Sequence, residues 1–273
     1  MTEASRSPGR RAVTAAQATI RLDFDRIARE LGRSPDDELD PCERELLPLV
    51  PRGVATVLDV GCGHGALIRQ LAGHAASLTG VDLSPEMIRV ARERSVGHRN
   101  VHFDVIDVGA TPPPREHFDV VLCVSTLHHL PFAETVRSLA AAVRPGGRLI
   151  VQDLLDRSQW RYAPVNVLAW AARAWPRGRP RRSKRLTRLY AAHGRGERYL
   201  TPGEVQPTFD AVLAGVRVRH HLAWRYTAVW ERPVVDGLRT PGSGESRSSA
   251  TPAGPPSAPT WTYSPRSTRL RDG

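Results

Sequence analysis

At 273 residues and 40% hydrophobic content the chain suits one domain with appendages or two small ones, with apolar side chains enough for a sizeable core. Three cysteines, Cys42, Cys62 and Cys123, are odd in number, far apart and without C-x-x-C pairing, which excludes a disulfide framework, supports no metal site and points to a reducing, cytoplasmic setting. The formal net charge of +11 is concentrated outside the expected fold, with seven Lys/Arg and no acid from Pro176 to Arg188 and five Arg against two acids from Gly237 to Gly273, which disfavours a nucleic-acid binder.

In chain order, residues 1–13 read as a disordered leader, and the polar-interrupted AVTAAQATI after Arg10 and Arg11 lacks the pattern of a secretion signal. Residues 14–54 read as an N-terminal cap of helices. Ile20, Phe24, Ile27 and Leu31 recur at helical spacing, and Pro41 opens a second short helix in CERELLPLV. From Ala55 the pattern alternates. Strands are expected at ATVLDV, SLTGVDL, NVHFDVID, FDVVLCVS and GGRLIVQDL, with helices at GALIRQLAG, SPEMIRVARERS and FAETVRSLAAAVR between them. The second of these helices carries Ser84 as N-cap, Pro85 at its first position and Glu86 in its first turn. Short apolar strands alternating with helices imply a parallel sheet buried on both faces.

After Asp153 the regularity lapses, and residues 154–200 read as a lid-like helical insertion: a Trp-rich helix from Trp160 to Trp175, the basic run, then RLTRLYAAHGRGERYL. The run at 176–188 reads first as a solvated lid or linker and second as a nucleic-acid patch. The apolar stretch from Ala163 is too short, and too interrupted by Asn166 and Arg173, to cross a bilayer. Thr201, Pro202 and Glu204 mark another helix start. Val216–Leu222 and Tyr226–Glu231 then read as adjoining strands, the last antiparallel, which closes a domain of 55–236 before a Pro/Ser/Gly/Thr-rich disordered tail, 237–273.

The loop between the first strand and its helix is LDVGCGHGAL. Gly61, Gly63 and Ala66, with Asp82 about twenty residues on, satisfy a dinucleotide fingerprint, so the loop alone leaves an NAD(P)-dependent oxidoreductase open. Taken together, LDVGCGHG, VDLSPEMI, IDV, FDVVLCVSTLHHL and VRPGGRLIV resemble the motifs of class I S-adenosylmethionine (SAM)-dependent methyltransferases, over roughly Ala55 to Pro233. The resemblance implies a doubly wound, Rossmann-like α/β fold, a seven-stranded sheet with only the last strand reversed, and SAM as cofactor.

In that reading Gly61, Gly63 and Gly65 let the loop pass under the methionine part of the cofactor, and Asp59 favours its ammonium end. Asp82 takes both ribose hydroxyls, Asp107 accepts from the adenine amine, and Leu83 and Ile106 cover the base. Cys62, a small filler rather than a nucleophile, and Ser125 complete the cofactor set. Read singly, each acid could be a loop brace or a cap; three at successive strand ends suit a cationic nucleoside.

His128 and His129 follow the fourth strand at the sheet's reacting edge, as candidate bases or as pocket walls. Acceptor specificity is expected in the cap and the insertion, from Trp160, Tyr162, His193 and Tyr199, with Trp170, Trp175 and Glu197 nearby. The reading is a methyltransferase acting on a small, partly apolar acceptor, with O-, N- and C-methylation open. A nucleic-acid-directed methyltransferase is the rival, and an interfacial helix touching a membrane surface is a rival to the lid.

Overall fold

The computed structural model describes residues 8–33, 39–174 and 183–234. Residues 1–7, the 175–182 part of the insertion and the 237–273 tail, for which the sequence carries expectations, lie outside the described residues.

The sheet has strands β1 (Val54–Val60), β2 (Ala75–Asp82), β3 (Val101–Val105), β4 (Phe118–Val124), β5 (Val143–Leu154), β6 (Arg217–His221) and β7 (Arg225–Glu231), in the spatial order β3-β2-β1-β4-β5-β7-β6. β1 to β5 pair in parallel, and β7 runs antiparallel to both β5 and β6. The chain winds outward from β1 to β3 and then restarts on the other side of β1 at β4. Strand order therefore reverses between β1 and β4, where the carboxyl ends of an open α/β sheet leave a crevice.

Period-two alternation sends neighbouring strand residues to opposite layers. Leu58, Val121, Cys123, Leu149 and Val151 pack with Val136 and Leu139 of α5 (Phe132–Ala142) and Val205 and Phe209 of α8 (Pro202–Asp210). Val57, Val120, Leu122 and Ile150 pack on the other face with Leu67, Ile68 and Leu71 of α3 (Ala66–Leu71) and Ile88 of α4 (Pro85–Arg94). A third cluster joins Ile27, Ala28 and Leu31 of α1 (Pro8–Leu31) to Met87 and Val90 of α4 and Leu186 of α7 (Lys184–His193).

Helix starts follow their sequence signals. Ser84 Oγ accepts from Met87 N at 3.1 Å and donates to Asp25 Oδ1 at 2.6 Å, so one hydroxyl caps α4 and pins α1 to it. Thr201 and Glu204 form a capping box at α8. Differences fall at boundaries. The first helix begins at Pro8 rather than Thr14, and the segment from Pro41 splits into α2 (Pro41–Arg44) and a 3-10 turn at Leu47–Leu49. β5 begins at Val143, ahead of its Gly-Gly turn, because Val143 pairs with Phe118 across a register shift.

Candidate active site

Three carboxylates stand at the carboxyl ends of β1, β2 and β3. Asp59 is 2% exposed, and its Oδ1 has no hydrogen-bond partner. Burial first, then the charges of Glu43 and Asp82, push its pKa well above the carboxylate range. Asp82 accepts from Gly63 N (2.9 Å) and Ser84 N (2.8 Å); burial lifts its pKa to about 6 against these bonds, which lower it. Asp107 Oδ1 accepts from Gly109 N at 2.9 Å and from the side-chain amide of Gln17, on α1, at 3.2 Å.

The glycines of the loop divide their work. A Cβ on Gly61 would overlap the Thr126 side chain, and one on Gly65 would lie 2.6 Å from the Phe103 ring, so both make room for packing. Gly63 has φ +52° and nothing within 4 Å of the place a Cβ would take, so it faces open cavity. Burial raises the Cys62 and Cys123 thiols far above their usual pKa, which leaves both inert.

Past β4 the chain turns through Ser125, at φ +50°, into a single 3-10 turn, Leu127–His129. His128 Nδ1 lies 2.7 Å from Asp153 Oδ1, and its backbone N donates to Asp153 Oδ2 at 2.9 Å. With its proton on Nδ1 the ring presents a bare Nε2. His129 Nε2 lies 3.3 Å from His193 Nε2, and His193 Nδ1 lies 3.3 Å from Asp23 Oδ2. His129 Nδ1 is 3.3 Å from Glu197 Oε2 but off the line of a hydrogen bond, and it has none. Burial, then the charges of His128 and His193, lower the His129 pKa to about 3 and keep the ring neutral. Among the described residues, one donor atom each from His128, His129 and Glu197 lie within 4.8 Å of one another.

A cavity of about 400 Å³ joins the strand-end acids to this histidine group. Of the residues expected for cofactor or acceptor from the sequence, Gly65, Trp160, Tyr162, Trp170 and Glu197 do not line it, Trp175 lies outside the described residues, and the others do. Trp160 is 88% exposed, and the Tyr162 ring packs under the Arg161 guanidinium, 5.0 Å away. Neither of these two lines the cavity, and α6 (Ala163–Ala174) follows them with Val167, Leu168 and Trp170 turned to solvent. The inner wall of the insertion is α7 with the Glu197–Tyr199 segment, laid against α1.

Sequence reasoning missed Gln17, Phe24, Glu43, Asp153 and Arg225, all but Asp153 lining the cavity. Asp153 stands next to the end of the fifth expected strand, where the acid of a strand end was a legible signal; the others sit in elements whose docking no local pattern reveals.

A family described as "Methyltransferase domain" matches residues 57–147. A ubiquinone biosynthesis O-methyltransferase of Nitrosomonas europaea is 30% identical over 208 residues, 70% of this chain and 86% of that protein. One of the same name from Coxiella burnetii is 37% identical over 100 residues, and the chain spans only 43% of its length. Among solved structures, a complex of DhpI with SAM and HEP superposes with a TM-score of 0.55, 24% identity, 84% of this chain and 100% of that one.

Proposed function

The chain belongs to the class I SAM-dependent methyltransferases, and from that membership we propose that it methylates a hydroxyl oxygen of a small, partly apolar acceptor. The observation that carries the proposal is one cavity lined by both the strand-end carboxylates and His128, whose ring is held by the buried Asp153.

The residues present suit SAM. Asp59 Oδ1 is a buried acceptor in want of a donor, which the amino-acid ammonium of the cofactor supplies. Gly63 leaves the space that a side chain would fill, Asp82 offers acceptors for two ribose hydroxyls, and the acceptor on Asp107 now engaged by Gln17 suits the adenine amine. Clustered acids repel a pyrophosphate, which sets the NAD(P) alternative aside. SAM supplies a methyl group on a sulfonium, a leaving group that is already activated.

The chain's own residues then position and deprotonate. Asp153 holds the His128 ring with Nε2 open to the cavity, so Nε2 takes the acceptor's proton as its oxygen bonds to the methyl carbon. Held by Asp59, Asp82 and Asp107, SAM would supply the methyl group, with the C–S electron pair kept by its sulfur as S-adenosylhomocysteine (SAH). Phe24, Tyr190 and Tyr199 make an aromatic wall near this point, a surface suited to a phenolic ring. Hydroxyl methylation also agrees with the names of the O-methyltransferase relatives.

The test is transfer of isotope-labelled methyl from SAM to a panel of phenols and catechols. His128→Gln lowers kcat about 10²–10⁴-fold, the range of a general base, and leaves the Kd for SAH within twofold. Unchanged kcat removes the base role. Turnover that EDTA abolishes and a divalent metal restores makes the group of His128, His129 and Glu197 a metal centre instead. A protein that binds neither SAM nor SAH refutes the whole reading.

A further inference from the structure

We propose that Arg225 is the docking point for an oxyanion carried by the methyl acceptor, which makes the acceptor a hydroxylated molecule with a carboxylate or phosphate-type group. The inference rests on the methyl-transfer reading and narrows its substrate class.

Arg225 opens β7 and is the only Arg or Lys among the described residues lining the cavity. Its Nη1 donates to Ser125 Oγ at 2.5 Å, and among the described residues no carboxylate pairs with it. The nearby acid Glu45 is engaged elsewhere, by Arg219 and His221 at 3.2 Å each, and Glu43 accepts from the Asp40 backbone at 3.1 Å. A half-buried guanidinium with five donors, held by one neutral hydroxyl, lines the cavity with most of its hydrogen-bonding capacity unused. A planar oxyanion satisfies two of those donors at once, and charge-assisted bonds of this kind are the strong ones.

Position distinguishes acceptor from cofactor. Asp59, Gly63, Asp82 and Asp107 lie at the ends of β1, β2 and β3, whereas Arg225 lies beyond β5 on the other side of β4. Across that gap its side chain reaches Ser125, three residues before His128. Ser125 sits in the left-handed region, a conformation a non-glycine residue keeps only when its surroundings hold it there. Its N–H donates to Gln152 O at 2.8 Å, and its hydroxyl meets Arg225, so the strained turn presents guanidinium and imidazole to the same space. An acceptor anchored by its anion at Arg225 has its hydroxyl held near His128 Nε2.

The test uses the full chain saturated with SAH, titrated calorimetrically with 3,4-dihydroxybenzoate and with its neutral isostere 3,4-dihydroxybenzamide. The wild type binds the carboxylate at least tenfold more tightly than the amide. Arg225→Met reduces the preference below twofold while the Kd for SAH stays within twofold, and Arg225→Lys keeps part of it. Equal binding of the two probes by the wild type, or no binding of the carboxylate, overturns the proposal without need of any variant. So does a tenfold loss of SAH affinity in Arg225→Met, which assigns the guanidinium to the cofactor's own carboxylate. Failure of the wild type to bind SAH is the separate failure of the methyl-transfer reading.

Discussion

Asp82 is the residue whose chemistry is most exposed to measurement. Burial lifts its carboxyl pKa to about 6, and the ribose hydroxyls it would receive in the proposed site donate best to the ionised form. SAH therefore binds the deprotonated protein preferentially. The sign follows: below about pH 6 affinity falls toward tenfold per pH unit, with proton release on binding near pH 6. Asp82→Asn, which cannot ionise, binds SAH more weakly at pH 8 and without that slope. Calorimetry between pH 5 and 8 checks both, and a flat profile in the wild type assigns the dependence elsewhere. Asp153 acts one step back from the chemistry. Asp153→Ala removes the acceptor that holds the His128 tautomer, so kcat falls while KM for SAM stays unchanged.

At the scale of elements, the covering of the cavity comes from α1 and α7 rather than from the Trp-rich α6. Phe24, Ile27 and Leu31 of α1 meet Leu186, Leu189 and Tyr190 of α7 in one cluster with α4, and Gln17 on the same helix already touches Asp107. The tie between α1 and the cofactor domain is the buried bond from Ser84 Oγ to Asp25. Asp25→Ala removes the acceptor and leaves the hydroxyl to its capping role, which costs about 1–3 kcal/mol. Urea unfolding measures it; a loss under 0.5 kcal/mol means that apolar packing alone seats α1. Because α1 reaches Asp107 through Gln17, where the proposed site would receive the adenine, the same variant also weakens SAH binding, whereas a substitution on the outer face of α6, such as Trp170→Ser, does not.

At the scale of the whole molecule, the sheet's reversal between β1 and β4 puts two kinds of chemistry on either side of one crevice. Acids at the ends of β1 to β3 lie on one side, and His128, Asp153 and Arg225 at the ends of β4, β5 and the start of β7 lie on the other. A ligand that spans the acids is linked to global folding by mass action. SAH at 100 times its Kd adds about 2.7 kcal/mol, read as a rise in Tm, and NAD at equal concentration adds none. A Tm raised by NAD and not by SAH contradicts the family's cofactor. No helix of the described residues is long and apolar enough to cross a membrane.

The sequence by itself determined the order of strands and helices from Val54 to Leu154, the caps at Ser84 and Thr201, and the strand-end placement of Asp59, Asp82 and Asp107. These are written in local signals, namely two-residue and helical periodicity, capping chemistry, and a glycine loop whose spacing reports the strand–turn–helix around it. The histidine pair in STLHHLP was legible as a place, and its roles were not. Only tertiary structure decided that Asp153 orients His128, that His193 and Glu197 arrive from the insertion beside His129, and that Trp160 and Trp170 point away. Arg225 is a strand residue whose neighbours in sequence say nothing of Ser125, one hundred positions earlier. Pairing across a sheet is set by long-range burial and register. The meeting of residues so far apart in the chain is therefore a property of the packed molecule, which no local pattern encodes.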